Sequence, residues 1–208
     1  MKEKPRKVAS IAIDGVIFER FPMQMPEVFK RIFTPSKYNL SFTPRFAQAP
    51  QERWPQEEIN PKQEKEALSY GKRRVRNGAR EFLIGLSNED FEIVGNTERH
   101  NDSSMINVTK ARLSMGDVSS FFKKIRFRLD GISPNESKYW FFKTLEEKGI
   151  KFCHYDDDAQ FIRQMATLFP NDEFVIVENL TSGLLFSRKE MKEYRNVKRV
   201  SIRSHKPK

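Results

Sequence analysis

An α/β fold with a parallel sheet is what this 208-residue sequence predicts. Three observations predict it. Short apolar, β-branched runs recur along the chain; they alternate with helical segments of roughly 10–15 residues; and polar, chemistry-bearing residues stand where the runs end. Alternation of this kind reads as βαβ units, and in open parallel sheets ligands bind at the carboxyl ends of the strands.

Each element follows from its local pattern. Residues 8–18 form a buried strand, stopped at its rim by Asp14 and Gly15. From 19 to 71 the composition changes. Seven of the eleven prolines fall here, aromatics from Phe21 to Trp54 are interleaved, and no glycine occurs between Gly15 and Gly71. This predicts an extended insertion with one short helix around 27–33, docked on its own body or on a partner. Residues 76–90 read as a helix with Phe82, Leu83 and Leu86 on one face, and 91–97 as a strand. A helix over 107–124, weakened by Gly116, precedes a strand over 125–129. Ser137, Pro134 and nearby acids mark a helix start, with Gly149 as its stop. A strand over 151–157, a helix over 158–169 ended by Pro170, and a strand over 174–179 complete the pattern.

The charge is segregated. The chain carries a formal +10, yet residues 1–7 contribute +3 and residues 188–208 contribute +7, so the body between them is neutral. Two basic ends on a neutral body favour phosphate-rich or acidic partners; a pair of solubilising tails is the plain alternative. No apolar run reaches the roughly 18–20 residues of a membrane helix. The single Cys153 excludes an intramolecular disulfide framework and suits a reducing intracellular setting, whether mitochondrial or cytoplasmic. The N-terminal residues lack the features of a secretory signal or a mitochondrial presequence. His100, His154 and His205 are too scattered for a histidine metal site, and Cys153 sits in a strand as a small hydrophobe.

The strand ends place Asp14, Thr97, Lys138, Asp156 and Asp157 at one rim. Carboxylates converging from separate strands suit magnesium; a hydroxyl and an ammonium beside them suit phosphate. With these residues on the page, the chain resembles the haloacid dehalogenase-like superfamily over 8–18 and 72–180. Ile11-Ala12-Ile13-Asp14-Gly15 resembles its first motif, Thr97 its second, Ser137-Lys138 its third and Asp156-Asp157 its fourth. The wording around Glu81–Thr97 is nearest the subgroup of C-terminal-domain phosphatases and the related mitochondrial translocase subunit. The resemblance implies a three-layer Rossmann-like fold. It also implies, in an active member, a nucleophilic aspartate that ligates magnesium at the position of Ala12; in this chain Asp14, Asp156 and Asp157 would hold the ion if magnesium is retained.

One position departs from the pattern. The family's nucleophilic aspartate corresponds to Ala12, whose methyl group can neither attack phosphorus nor bind a metal. Asp14, at the general acid/base position, lies two residues too far along to replace it without a register slip. The expectation is therefore a non-catalytic protein that requires no cofactor, its pocket (Ala12, Asp14, Thr97, Lys138, Asp156, Asp157) a relic or a weak magnesium–phosphate site. It would serve as a structural or adaptor subunit of a ribonucleoprotein, for example an organellar ribosome or its assembly machinery. RNA would be met by Lys72, Arg73, Arg74 and Arg76, and by Arg195, Lys198, Arg199 and Arg203 of the C-terminal tail. The alternatives are a magnesium-dependent phosphatase in which Asp14 activates water, and an adaptor in a protein-only complex.

Overall fold

The computed structural model describes residues 7–19, 42–46, 48, 61–178 and 191–202. Its centre is a six-stranded, wholly parallel sheet in the order β3-β2-β1-β4-β5-β6. The strands are β1 (Lys7–Ala12), β2 (Phe91–His100), β3 (Lys124–Arg128), β4 (Phe152–Asp156), β5 (Glu173–Val177) and β6 (Val197–Val200). The helices are α1 (Pro61–Gly71), α2 (Ala79–Asn88), α3 (Ser103–Met115), α4 (Pro134–Glu147) and α5 (Ala159–Leu168). Strand order reverses between β1 and β4, so the crevice beyond their carboxyl ends is the topological switch point.

Alternation along the strands divides the core in two. Ala9, Ile11, Ile93, Cys153, Tyr155 and Val175 face one way and meet Leu83 and Leu86 of α2 and Leu113 of α3. Val8, Val94, Phe152, Phe174 and Ile176 face the other way and meet Phe142 and Leu145 of α4 and Phe161, Ile162 and Met165 of α5. The result is the helix–sheet–helix layering expected of the α/β fold. Phe142 is the hub of the second core, its ring against those of Phe152, Phe161, Phe169 and Phe174. A β-sheet buried on both faces explains why its strands read as near-continuous apolar runs.

Five elements differ from the sequence expectation; the first is the strand expected over 8–18, which ends at Ala12, where a turn built on Gly15 takes over. The helix predicted over 107–124 begins earlier and ends earlier, because Asp102 caps it by accepting from the Met105 amide at 2.9 Å. It stops at Gly116, where a Cβ would overlap the Val75 side chain. The strand predicted over 91–97 runs on to His100, past an irregularity in its pairing with β3. Residues 61–71, expected to belong to an extended segment, form α1 and pack on α3. Pro61 opens that helix, where its missing N–H costs nothing, and no proline or glycine interrupts the turns that follow. Finally, Val197–Val200 lie in the stretch expected to be a basic tail, yet they form β6. Its Lys198 and Arg199 kept it from reading as a strand, but charged side chains are common on a sheet edge.

The helix expected around 27–33 lies outside the described residues. Residues 42–46 do dock on the body, as the aromatic content predicted. The amides of Arg45 and Phe46 donate to Glu136 Oε1 at 2.6 and 3.3 Å, and the Phe42 ring packs 5.2 Å from that of Tyr139. Among the described residues, no helix is long and apolar enough to cross a membrane.

Candidate functional site: an arginine-filled switch point

Beyond Ala12 the chain leaves the strand in a wide turn over Ile13–Ile17, closed by Phe18 N–H donating to the Ile13 carbonyl at 2.9 Å. Gly15 makes the turn, with φ of 92° that other residues rarely adopt. A Cβ at Gly15 would also overlap the Asp157 carboxylate. The turn after β1 and the acids after β4 therefore meet, as the strand-end argument required. Asp14 leaves on this turn and not on the strand, so strand alternation does not fix its direction relative to Ala12. Ala12 is buried and pairs in register with Asn96 of β2.

Two polar clusters form at this rim. The first gathers around Asp14. Arg73 Nη1 donates to Oδ1 at 2.7 Å, Arg99 Nη2 donates to Oδ1 at 2.8 Å, and the Thr97 hydroxyl donates to Oδ2 at 2.8 Å. The Arg99 side chain is completely buried. Its Nη1 donates to Thr109 Oγ1 at 2.8 Å, and its guanidinium lies 4.7 Å from the Phe18 ring centroid and 4.5 Å from that of Tyr70. Tyr70 also lies under Arg73, at 4.1 Å. Burial alone would raise the Asp14 pKa; the Arg99 and Arg73 charges and the Thr97 hydrogen bond outweigh it and hold the carboxyl below its ordinary value.

The second cluster is built on the α4 side of the sheet, where alternation sends Ser10, Asn96, His154 and Asp156. Lys138 Nζ, projecting from α4, donates to Asp156 Oδ2 at 2.7 Å, and lies 3.5 Å from Glu98. His154 Nε2 lies 3.1 Å from the same Asp156 oxygen, and its Nδ1 lies 2.8 Å from Ser10 Oγ. Asn96 Nδ2 in turn donates to Ser10 Oγ at 2.7 Å. Burial is the largest influence on His154 and lowers its pKa, against the opposing pull of Asp156. Its Nδ1 also lies 3.1 Å from the Ser10 carbonyl oxygen. Burial opposes ionisation of Asp156 and Lys138 too, but each charge supports the other, lowering the carboxyl and raising the ammonium.

The structure thus brings Ala12, Asp14, Thr97, Lys138, Asp156 and Asp157 to one switch point, but partners them apart. A magnesium ion there would need carboxylate oxygens turned toward one point. Both oxygens of Asp14 are instead engaged by arginine and threonine, and Asp156 Oδ2 by lysine and histidine. Among the described residues, no three His, Cys, Asp or Glu side chains are grouped to hold a metal. In this arrangement the residues do not fit the ion. Arg99 supplies the positive charge at the carboxylate, and no residue-type motif pointed to it. Only its position two residues beyond Thr97, on the same strand face, offered a signal.

The expected RNA-contacting residues divide similarly. Lys72, Arg74, Arg195 and Lys198 are exposed, with Lys198 2.6 Å from Glu173. Arg73 is turned inward to Asp14. Arg76 donates to the carbonyls of Gly15 and Glu178 at 3.2 and 2.8 Å, and Arg199 lies 3.7 Å from Glu178. Arg203 lies outside the described residues. Cys153 is buried, as expected, and His154 is a core residue of the second cluster.

This architecture is the fold of the haloacid dehalogenase-like superfamily. Solved structures show it directly. A haloacid dehalogenase-like hydrolase from Streptococcus pneumoniae is 9% identical, with a TM-score of 0.50 over 95% of each chain. A phosphoserine phosphatase captured as its phospho-aspartyl analogue is 12% identical, with a TM-score of 0.50 over 94% of this chain and 93% of its own. A dehalogenase is 10% identical, with a TM-score of 0.50 over 96% of this chain and 94% of its own. No family model matches the sequence, and no curated protein is similar to it at the sequence level.

Proposed function

We propose that the chain is a non-catalytic protein of this fold, a structural or adaptor subunit of a ribonucleoprotein such as an organellar ribosome or its assembly machinery. The observation that carries the non-catalytic reading is the Arg99–Asp14 pair. With Ala12 at the nucleophile's position, the remaining acid of that motif is held by a buried guanidinium instead of standing open to substrate. Asp14 activating water would need one carboxylate oxygen facing solvent, and both are engaged. The ribonucleoprotein reading is supported by the basic ends on a neutral body and by the exposed Lys72, Arg74, Arg195 and Lys198.

Two measurements test it. A generic phosphomonoester with magnesium should release no phosphate above background; turnover abolished by Asp14→Asn would establish the phosphatase reading instead. Binding to structured RNA should weaken steeply with salt, and Lys72→Glu with Arg74→Glu should flatten that slope, since each phosphate contact contributes about 0.7–0.9 to it. Affinity that is absent, or indifferent to salt, would refute the RNA assignment and leave the protein-only adaptor.

A further inference from the structure

On the α4 face of the sheet, from the amino end of β1 past β2 and β3 to Leu129, lies a groove of about 780 Å³. Its volume falls in the range of binding pockets, roughly 300–1,000 Å³. Val8, Val94, Leu129, Leu145 and Ile150 give it an aliphatic floor, with Trp140 and Phe141 on the wall. Four cations line it, Lys123, Lys124, Arg126 and Lys148, against one carboxylate, Glu92, which Lys123 already meets at 3.0 Å. No residue of the relic pocket takes part.

Charge and shape together select the occupant. The cationic rim asks for an anion, and the floor asks for bulky apolar groups. Single-stranded RNA would need a bare aromatic face for its bases. The face of Phe141 is taken by the Arg126 guanidinium, 4.2 Å from the ring centroid, Trp140 is buried, and the floor is aliphatic. We infer that the groove receives an acidic segment of a protein partner, which seats apolar side chains on the floor and sets carboxylates against the rim. This deepens the adaptor reading: RNA at the exposed basic residues, protein at the groove. It rests on that reading only for the expectation of a protein neighbour.

The test uses the full chain and a fluorescein-labelled dodecapeptide of Glu, Leu and Phe, followed by anisotropy. The expected result is saturable binding that weakens about tenfold or more when Gln replaces Glu in the peptide. Similar weakening is expected for Lys124→Glu with Lys148→Glu, and for Thr144→Trp, which fills the groove from α4. Thermal melting of each variant separates lost binding from lost folding, and the charge-reversal pair, lying on exposed side chains, keeps the test decisive if Thr144→Trp unfolds. A Gln peptide that binds equally well, or binding that neither change affects in folded protein, would overturn the proposal. So would a labelled oligouridylate that competes with the peptide and loses affinity in Thr144→Trp. The phosphatase and RNA measurements above do not involve these residues, so the two readings fail separately.

Discussion

Arg99 Nη2 stands 2.8 Å from Asp14 Oδ1, and the arginine side chain has no exposure to solvent. A buried guanidinium is tolerated only when its charge is matched and its donors are placed. Here Asp14 matches the charge, Thr109 takes a further N–H, and the Phe18 and Tyr70 rings cover the planar faces. With Lys138–Asp156 at 2.7 Å, the Arg99 pair is, among the described residues, one of two buried ion pairs that occupy the carboxylates of the rim.

Arg99→Ala should therefore destabilise the protein by about 3 kcal/mol, the lower end for breaking a buried pair, because Arg73 remains to partner Asp14. Urea denaturation measures it. Arg99→Ala combined with Asp14→Ala should cost less than the two single changes added together, since neither charge is then stranded.

Ala12→Asp should not restore phosphatase turnover. The new carboxylate would arrive at a buried strand end whose neighbouring acid is already bound by two arginines. Phosphate release from a generic phosphomonoester with magnesium is the readout, and the same variant carrying Arg99→Ala is the one expected to gain magnesium affinity by calorimetry.

Lys138→Met should cost about 3–5 kcal/mol by leaving Asp156 charged and buried. Lys138→Met with Asp156→Leu should recover most of that loss, because both charges then leave the interior together. Denaturant midpoints of the two variants decide it.

Acid should weaken the fold in two steps. The native His154 pKa is depressed, chiefly by burial, so below the ordinary value of 6.5 the unfolded chain takes up a proton that the native ring refuses. Stability is then full above about pH 6.5 and declines beneath it. Asp14 and Asp156 are also depressed below their ordinary 3.8, burial opposing and the arginine and lysine charges prevailing. Their contribution is intact above that value and lost as pH falls further. Stability measured from pH 8 to pH 3 should show both declines, and His154→Gln should remove the first.

Cys153 should resist alkylation in the native protein. Burial pushes its thiol up to about 12, leaving almost no thiolate at neutral pH. Mass spectrometry after iodoacetamide treatment should find it unmodified until denaturant is added.

The sheet and the rim residues were legible in the sequence because strand ends are marked by abrupt changes in polarity. Val8 to Ala12 turning into Asp14-Gly15, and Phe152 to Tyr155 turning into acids, are local signals of that kind. Arg99 was not legible as a buried group, nor Arg73 and Arg76 as half-buried, inward-turned ones. An arginine reads as surface until the fold supplies a carboxylate, carbonyl oxygens and two rings around it, and those partners come from residues 14, 15, 18, 70 and 178. The edge strand β6 was hidden for a similar reason. Its strand character comes from pairing with β5, while its own Lys198 and Arg199 suggested a solvated tail.

The parallel sheet also fixes where the basic ends leave the body. β1 enters at the amino pole, at Lys7, beside the groove lined by Val8. β6 runs the same way and leaves at the carboxyl pole, at Val200, on the edge of the sheet. Residues 191–196, with Lys192 and Arg195 exposed, stand ahead of β6, so they reach the sheet at the same amino pole as Lys7. Parallel pairing at the edge thereby gathers cations from both ends of the sequence at one end of the sheet, however far apart they lie along the chain.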